Sequence, residues 1–189
     1  MAGWQWADSK ELAILSECFE TPEWAIDAIL SKETLTHTVF DPCCGRGQMA
    51  EAAKKLRYPN VVAHDLHDWG YGVTAMNFLD QSPRYRPDLT VFMNPPFSLA
   101  TEFVLRALNR QARKVVCFQR FAWWESQKRR EFWAKHPPNR VYICGDRAHC
   151  WRIDIPPEER KSSTPTAHAW FVWERGHPPG TQLGHIYKD

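Results

Sequence analysis

The sequence predicts an α/β protein built on an open, mostly parallel sheet with helices on both faces. Three observations carry that expectation. Short β-branched and aromatic runs alternate with amphipathic helical stretches along the chain. Turn residues punctuate the junctions, as in Asp41-Pro42, Asn94-Pro95-Pro96 and Pro137-Pro138. Hydrophobic residues make up 43% of 189 and charged residues 24%, a globular balance that fits a single domain spanning residues 1–189.

Taken in order, Thr21-Pro22-Glu23 reads as a helix start with proline in the first turn, and Trp24 to Leu30 continues it. Thr38 to Phe40 is a strand that leaves through Asp41-Pro42. Gln48 to Arg57 is rich in Ala, Glu and Lys and predicts a helix; Asn60 to His64 predicts a second strand. Leu89 to Met93 is a third, closed by the double proline. Leu99 to Arg110 places Phe103, Val104, Ala107 and Leu108 at helical spacing. Lys114 to Phe118 predicts a strand, Ser126 to Lys135 a helix and Arg140 to Cys144 a strand. Pro156 to Pro165 reads as loop, and His168 to Trp173 as the last strand.

Several classes are excluded by composition. No apolar run approaches the ~18 residues of a membrane helix, and the first residues lack a basic-then-apolar secretory pattern, so a cytoplasmic protein is expected. The six cysteines show no framework spacing and are expected to be reduced. Cys144, His149 and Cys150 lie close in sequence but match no zinc template, so no metal is expected. Charge is uneven: residues 1–97 carry a net −5 and residues 98–152 a net +8. A cationic surplus of that size suits a polyanionic partner, although charge runs also line ordinary solvated faces.

In such sheets, ligands sit at the carboxyl ends of the strands. After the first strand comes Asp41-Pro42-Cys43-Cys44-Gly45-Arg46-Gly47-Gln48-Met49-Ala50. The Gly45-x-Gly47-x-x-Ala50 spacing permits a sharp turn and close approach of a ligand, and alone it fits NAD, FAD or sulfonium nucleoside binding equally. Asp65, 20 residues after Gly45, is placed to accept from ribose hydroxyls. Asp41 would repel a pyrophosphate but hold the ammonium of an amino-acid moiety. Asn94-Pro95-Pro96-Phe97 follows the third strand. Consecutive prolines fix φ and remove two N–H donors, leaving carbonyls that only accept. The Asn94 amide oxygen and the Pro95 carbonyl would grip both hydrogens of an exocyclic amine on a heteroaromatic ring, and Phe97 would stack on that ring.

Asp-Pro-x-Cys-Gly-x-Gly followed by Asn-Pro-Pro-Phe resembles the S-adenosylmethionine-dependent amino-methyltransferases, above all the adenine-specific DNA methyltransferases. Thr21-Pro22-Glu23-Trp24 also resembles the Thr-Pro motif that precedes their glycine loop. The order, cofactor half first, is that of their γ-type arrangement, and the likeness is greatest to small phage and prophage enzymes. It covers about residues 20–120. The resemblance implies a Rossmann-like class I methyltransferase fold with a seven-stranded sheet, and S-adenosylmethionine as cofactor. It further implies that Asp41, Gly45 and Gly47 line the cofactor's methionine part, with Pro42 and Cys43 also among the cofactor-binding residues, that Thr21 and Pro22 close over its methionine end, and that Asp65 takes the ribose. Leu66 would flank the cofactor's adenine. Asn77-Phe78 stands where the family has Asp-Phe against that adenine. Asn94, Pro95, Pro96 and Phe97 would form the catalytic motif, acting on the N6 amine of adenine in DNA.

A base must leave the duplex stack to reach such a pocket. Arg120, Lys128, Arg129, Arg130, Arg147 and Arg152 are the candidate phosphate contacts, and Trp69, Tyr71, Trp123 and Trp124 are candidate rim aromatics. Too little chain follows Phe118 for a separate recognition domain, so either loops 120–128 and 145–167 read the target or another partner supplies recognition. Base amines of RNA, glutamine amides of proteins, a non-catalytic cofactor-binding subunit and a small NAD-binding module remain as alternatives.

Overall fold

The computed structural model describes residues 17–80, 88–160 and 166–189. Seven strands form one sheet: β1 Thr38–Asp41, β2 Asn60–Ala63, β3 Leu89–Met93, β4 Lys114–Arg120, β5 Arg140–Cys144, β6 His168–Glu174 and β7 Gln182–Ile186. Their order is β2-β1-β3-β4-β6-β5-β7. Every neighbouring pair is parallel except the two made by β6, which runs antiparallel to β4 and β5. The mostly parallel seven-stranded sheet expected above is therefore present.

The central strands are apolar on both sides because both faces are covered. All five residues of β3 are buried, as are the first six of β4 and of β6. Alternate side chains feed two cores. Helices α1 (Glu23–Lys32) and α2 (Gln48–Lys55) cover the face bearing Val39, Phe92, Val116, Phe118 and Trp170. Helices α3 (Ala100–Asn109) and α4 (Arg130–Lys135) cover the opposite face, bearing Val91, Met93, Val115, Cys117 and Phe171. The Trp170 indole N–H donates to the Ala25 carbonyl at 3.0 Å, so its one polar atom is satisfied within the core and α1 is pinned to β6.

Two expectations are corrected. Ser126 to Lys135 is not one helix: a 3₁₀ turn at Gln127–Arg129 precedes α4, because Arg129 (φ −105°, ψ 9°) leaves helical geometry. Its guanidinium Nε instead donates to the Trp123 carbonyl at 2.8 Å. Strand β7 had no counterpart in the sequence reading. It is an edge strand with three of its five residues exposed, so it carries no apolar run to betray it. Positions 161–165 of the expected loop lie outside the described residues.

At the opening ends of β4 and β5, away from the glycine loop, lies a buried ion network. Glu33 accepts from Lys114 Nζ (2.9 Å), from Tyr142 Oη (2.9 Å) and from the Arg140 guanidinium. Glu174 closes the set through Arg140 (2.5 Å) and Lys114 (3.4 Å). Burial alone would raise the Glu33 carboxyl; the Arg140, Lys114 and Tyr142 donors hold it below its usual value. Among the described residues no helix is long and apolar enough to cross a membrane.

Candidate active site

The carboxyl ends of β1, β2, β3 and β4 bring the sequence-predicted residues to one edge of the sheet. The loop after β1 is tied to β2 by His64 N–H to the Asp41 carbonyl (2.8 Å) and by Cys44 N–H to the His64 carbonyl (2.9 Å). Gly45 and Gly47 both take positive φ, 52° and 84°, which favours glycine. A Cβ on Gly47 would lie 2.5 Å from the Tyr71 ring, so this glycine makes room for Tyr71. Tyr71 is itself held by Glu51 (2.6 Å) and Lys54 (2.8 Å). Gly47 does not itself line either of the cavities described below.

Asp65 is buried and bonded through both oxygens: Oδ2 accepts from Gly45 N–H and Oδ1 from His67 N–H, each at 2.9 Å. It therefore braces the glycine loop and lines the larger cavity described below. Asp41 is 2% exposed, and its Oδ1 accepts from Cys43 N–H at 3.2 Å. Burial pushes its carboxyl up to about 8, the Cys43 N–H opposes the rise, and the neighbouring Asp65 charge adds to it. Asp41 forms no salt bridge with Lys or Arg among the described residues.

Two cavities open here. The larger, about 260 Å³, is walled by Leu66, Met76, Phe78, Leu79, Leu99 and Phe103, with Pro42, Cys43, Gly45, Asp65, Asn77, Asn94 and Pro96 also on its surface. The smaller, about 30 Å³, is lined by Thr21, Asp41, Cys43, Gly45, Met49 and Asn94 among others. Gly45 and Asn94 thus face both spaces.

Asn94 Nδ2 donates to the Phe19 carbonyl (3.0 Å) and to Thr21 Oγ1 (2.9 Å). An amide has two N–H donors and both are used, so Oδ1 is fixed as the outward acceptor. Thr21 is buried and serves Asn94 here; Pro22 lines neither cavity and instead opens α1, its carbonyl accepting from Ala25 (3.0 Å) and Ile26 (3.2 Å). The Pro95 carbonyl, expected to be a free acceptor, receives a 2.9 Å bond from Gln119 Nε2. Phe97 is half-buried rather than open: it stacks on Phe19 with centroids 5.3 Å apart, and the Arg120 guanidinium lies 4.1 Å from its centroid. Asn77 lines the larger cavity, but its amide closes a local turn, accepting from Leu79 N–H (3.0 Å) and donating to Asp80 (2.6 Å).

Sequence reading missed the strap Glu17–Glu20. It bonds to the β5–β6 loop through Glu20 N–H to Trp151 (2.8 Å) and Ile153 N–H to Cys18 (2.9 Å), and Glu17 accepts from Ser98 N–H at 2.8 Å. No local signal marks Phe19, because its role depends on contacts 75 and more residues away. The basic candidates divide. Arg120 sits beside Phe97, while Lys128, Arg130 and Arg147 are exposed. Arg129 is turned onto Trp123, and Arg152 pairs with Asp154 at 2.5 Å. Among the described residues no group of three or more His, Cys, Asp or Glu is arranged to hold a metal ion.

No protein-family model matches the chain, and no curated protein matches it in sequence. Solved structures do resemble its fold. A candidate RNA methyltransferase from Pyrococcus horikoshii aligns over 90% of this chain and 98% of its own, with a TM-score of 0.54 and 16% identity. The modification subunit of a candidate type I restriction enzyme from Vibrio vulnificus aligns over 86% of this chain and 45% of its own, at 0.51 and 14%. The plantazolicin methyltransferase BpumL, solved with SAH, aligns over 87% and 84%, at 0.50 and 13%. At these identities the likeness establishes the fold: this chain has the α/β architecture that these methyltransferases share.

Proposed function

We propose that the chain transfers a methyl group from S-adenosylmethionine to the N6 amine of adenine in DNA. The observation that carries this reading is the shared cavity. Gly45 of the glycine loop and Asn94 of the Asn-Pro-Pro-Phe motif face one space, and the Asn94 amide is turned with its oxygen as the acceptor. The residues suit this cofactor. The apolar wall from Leu66 to Phe103 accepts a nucleobase, and Asp41 is a buried carboxyl that forms no salt bridge among the described residues, beside the loop where an amino-acid ammonium would rest. The neighbour solved with SAH agrees with that choice. When bound, the cofactor supplies an electrophilic methyl on a sulfonium.

The protein's contribution is position. Asn94 Oδ1 and the second lone pair of the Pro95 carbonyl accept the amine hydrogens, which loosens the nitrogen lone pair from the ring. A flipped base takes the place of Phe19 against Phe97, exchanging one stacking contact for another and offsetting part of the few kcal/mol of unstacking. Arg120 at this mouth, with exposed Lys128, Arg130 and Arg147, supplies the cationic surface for the phosphates. DNA is favoured over RNA by the resemblance of the motifs.

Incubation with a methyl-labelled cofactor and adenine-containing duplex DNA or RNA, then digestion to nucleosides, tests the reading. Labelled N6-methyldeoxyadenosine is the expected product. Label confined to RNA would replace the substrate, and no label in either acid would overturn the proposal.

Asp41 gives a pH signature. With its folded value near 8, above its ordinary 3.8, the carboxyl is largely neutral at pH 7, and the ligand-free fold loses stability as pH rises between those values. A ligand ammonium stabilises the carboxylate, so cofactor binding at pH 7 releases a proton. Titrating S-adenosylhomocysteine in two buffers of different ionisation enthalpy should give different apparent binding enthalpies. Equal enthalpies would separate Asp41 from the ligand's cation.

A further inference from the structure

Gln119 is the one uncharged polar side chain on the wholly buried part of β4, at 0% exposure. It lies on the strand face that carries Val115 and Cys117, where apolar side chains fill the neighbouring positions. A buried amide is unfavourable there unless its atoms are bonded. Only half of this one is: Nε2 donates to the Pro95 carbonyl at 2.9 Å, while Oε1 is buried with no partner among the described residues. A leucine or methionine would fill the same volume and strand no acceptor. The single contact that the amide makes is therefore the reason for a polar residue at this position.

That contact falls on an atom of the proposed amine clamp. Pro95 precedes another proline, so its carbonyl belongs to a tertiary amide with no N–H beside it to steady it. A carbonyl oxygen has two lone pairs. Gln119 takes one of them from within the core, which sets the direction of the other.

We infer that Gln119 is a positioning residue for methyl transfer, orienting the Pro95 carbonyl as an acceptor for the substrate amine. This rests on the function proposed above. Asn94 and Pro95 are then held by separate devices. The Asn94 amide is oriented by Phe19 of the strap and by Thr21 just after it, and the Pro95 carbonyl from β4 by Gln119. The two acceptors keep their mutual geometry only if both devices are in place. Gln119 lines neither cavity, so its loss should leave the cofactor's binding surface intact.

Two substitutions test this in the full chain. Gln119→Met keeps the side-chain length and removes the donor. Turnover should fall roughly 100-fold, the scale of a misplaced reacting group, while the affinity for S-adenosylhomocysteine stays at the parental value. Turnover equal to or above the parent would overturn the inference; a rise would mean that Gln119 competes with the amine. Gln119→Glu donates only when its carboxyl is protonated. Its turnover relative to the parent should therefore climb as pH falls, and a flat ratio would overturn the inference even if the methionine variant did not fold. A parent that methylates no adenine refutes the underlying function; an active parent with an equally active Gln119→Met refutes the positioning role alone.

Discussion

Asn94→Ala should reduce methyl transfer by roughly 1,000-fold, the upper range for removing one preorganised polar group from a transition state. The effect is concentrated at this residue because its amide has one free function. Both N–H groups are spent on Phe19 and Thr21, and only Oδ1 remains to receive an amine hydrogen. Alanine removes the acceptor and also frees the strap carbonyl. Cofactor affinity should change little, since the apolar wall, Asp41 and Asp65 are untouched. Single-turnover transfer and a titration with S-adenosylhomocysteine measure the two quantities separately. Parental transfer by the alanine variant would remove Asn94 from the reaction. Equal loss of both would assign it to the cofactor instead.

Glu33→Ala should cost about 3–5 kcal/mol of folding stability, the usual result of removing one member of a buried charge cluster. Glu33 is 4% exposed and faces Lys114, Arg140 and Tyr142. Without it, Glu174 alone among the described carboxylates faces the buried Lys114 and the partly buried Arg140. Urea unfolding followed by circular dichroism gives the change, and a loss below 1 kcal/mol would show that water or rearrangement screens the cluster. The pH dependence has a definite sign. A carboxyl held below its ordinary 4.5 contributes stability above that value and loses it as pH falls toward the folded value. Acidification should therefore weaken the parent more than the variant. The network lies at the opposite end of the sheet from Asn94, so folded Glu33→Ala should retain its turnover.

Much of this site is legible in the linear sequence because backbone chemistry is local. Gly45 and Gly47 announce positive φ, and the double proline after Asn94 announces carbonyls without donors. Strands β3, β4 and β6 are plain as apolar runs because burial on both faces leaves no polar alternation. Strand β7 was illegible for the converse reason, since its outer edge is wet. The break between Ser126 and Arg130 was hidden because a side-chain bond from Arg129 to Trp123 decides it.

By itself, then, the sequence determined the alternation of strands and helices, the sharp loop after Asp41 and the acceptor-only turn after Met93, all set by φ restrictions and hydrophobic periodicity within a few residues. Only the tertiary structure decided which way the Asn94 amide faces, what holds the Pro95 carbonyl and what covers Phe97. Those depend on Phe19, Thr21, Gln119 and Arg120, which lie 23 to 78 residues away along the chain and meet the motif only when the sheet closes. Hydrogen bonds and stacking over such separations leave no periodic trace in composition, because their partners are chosen by packing in space.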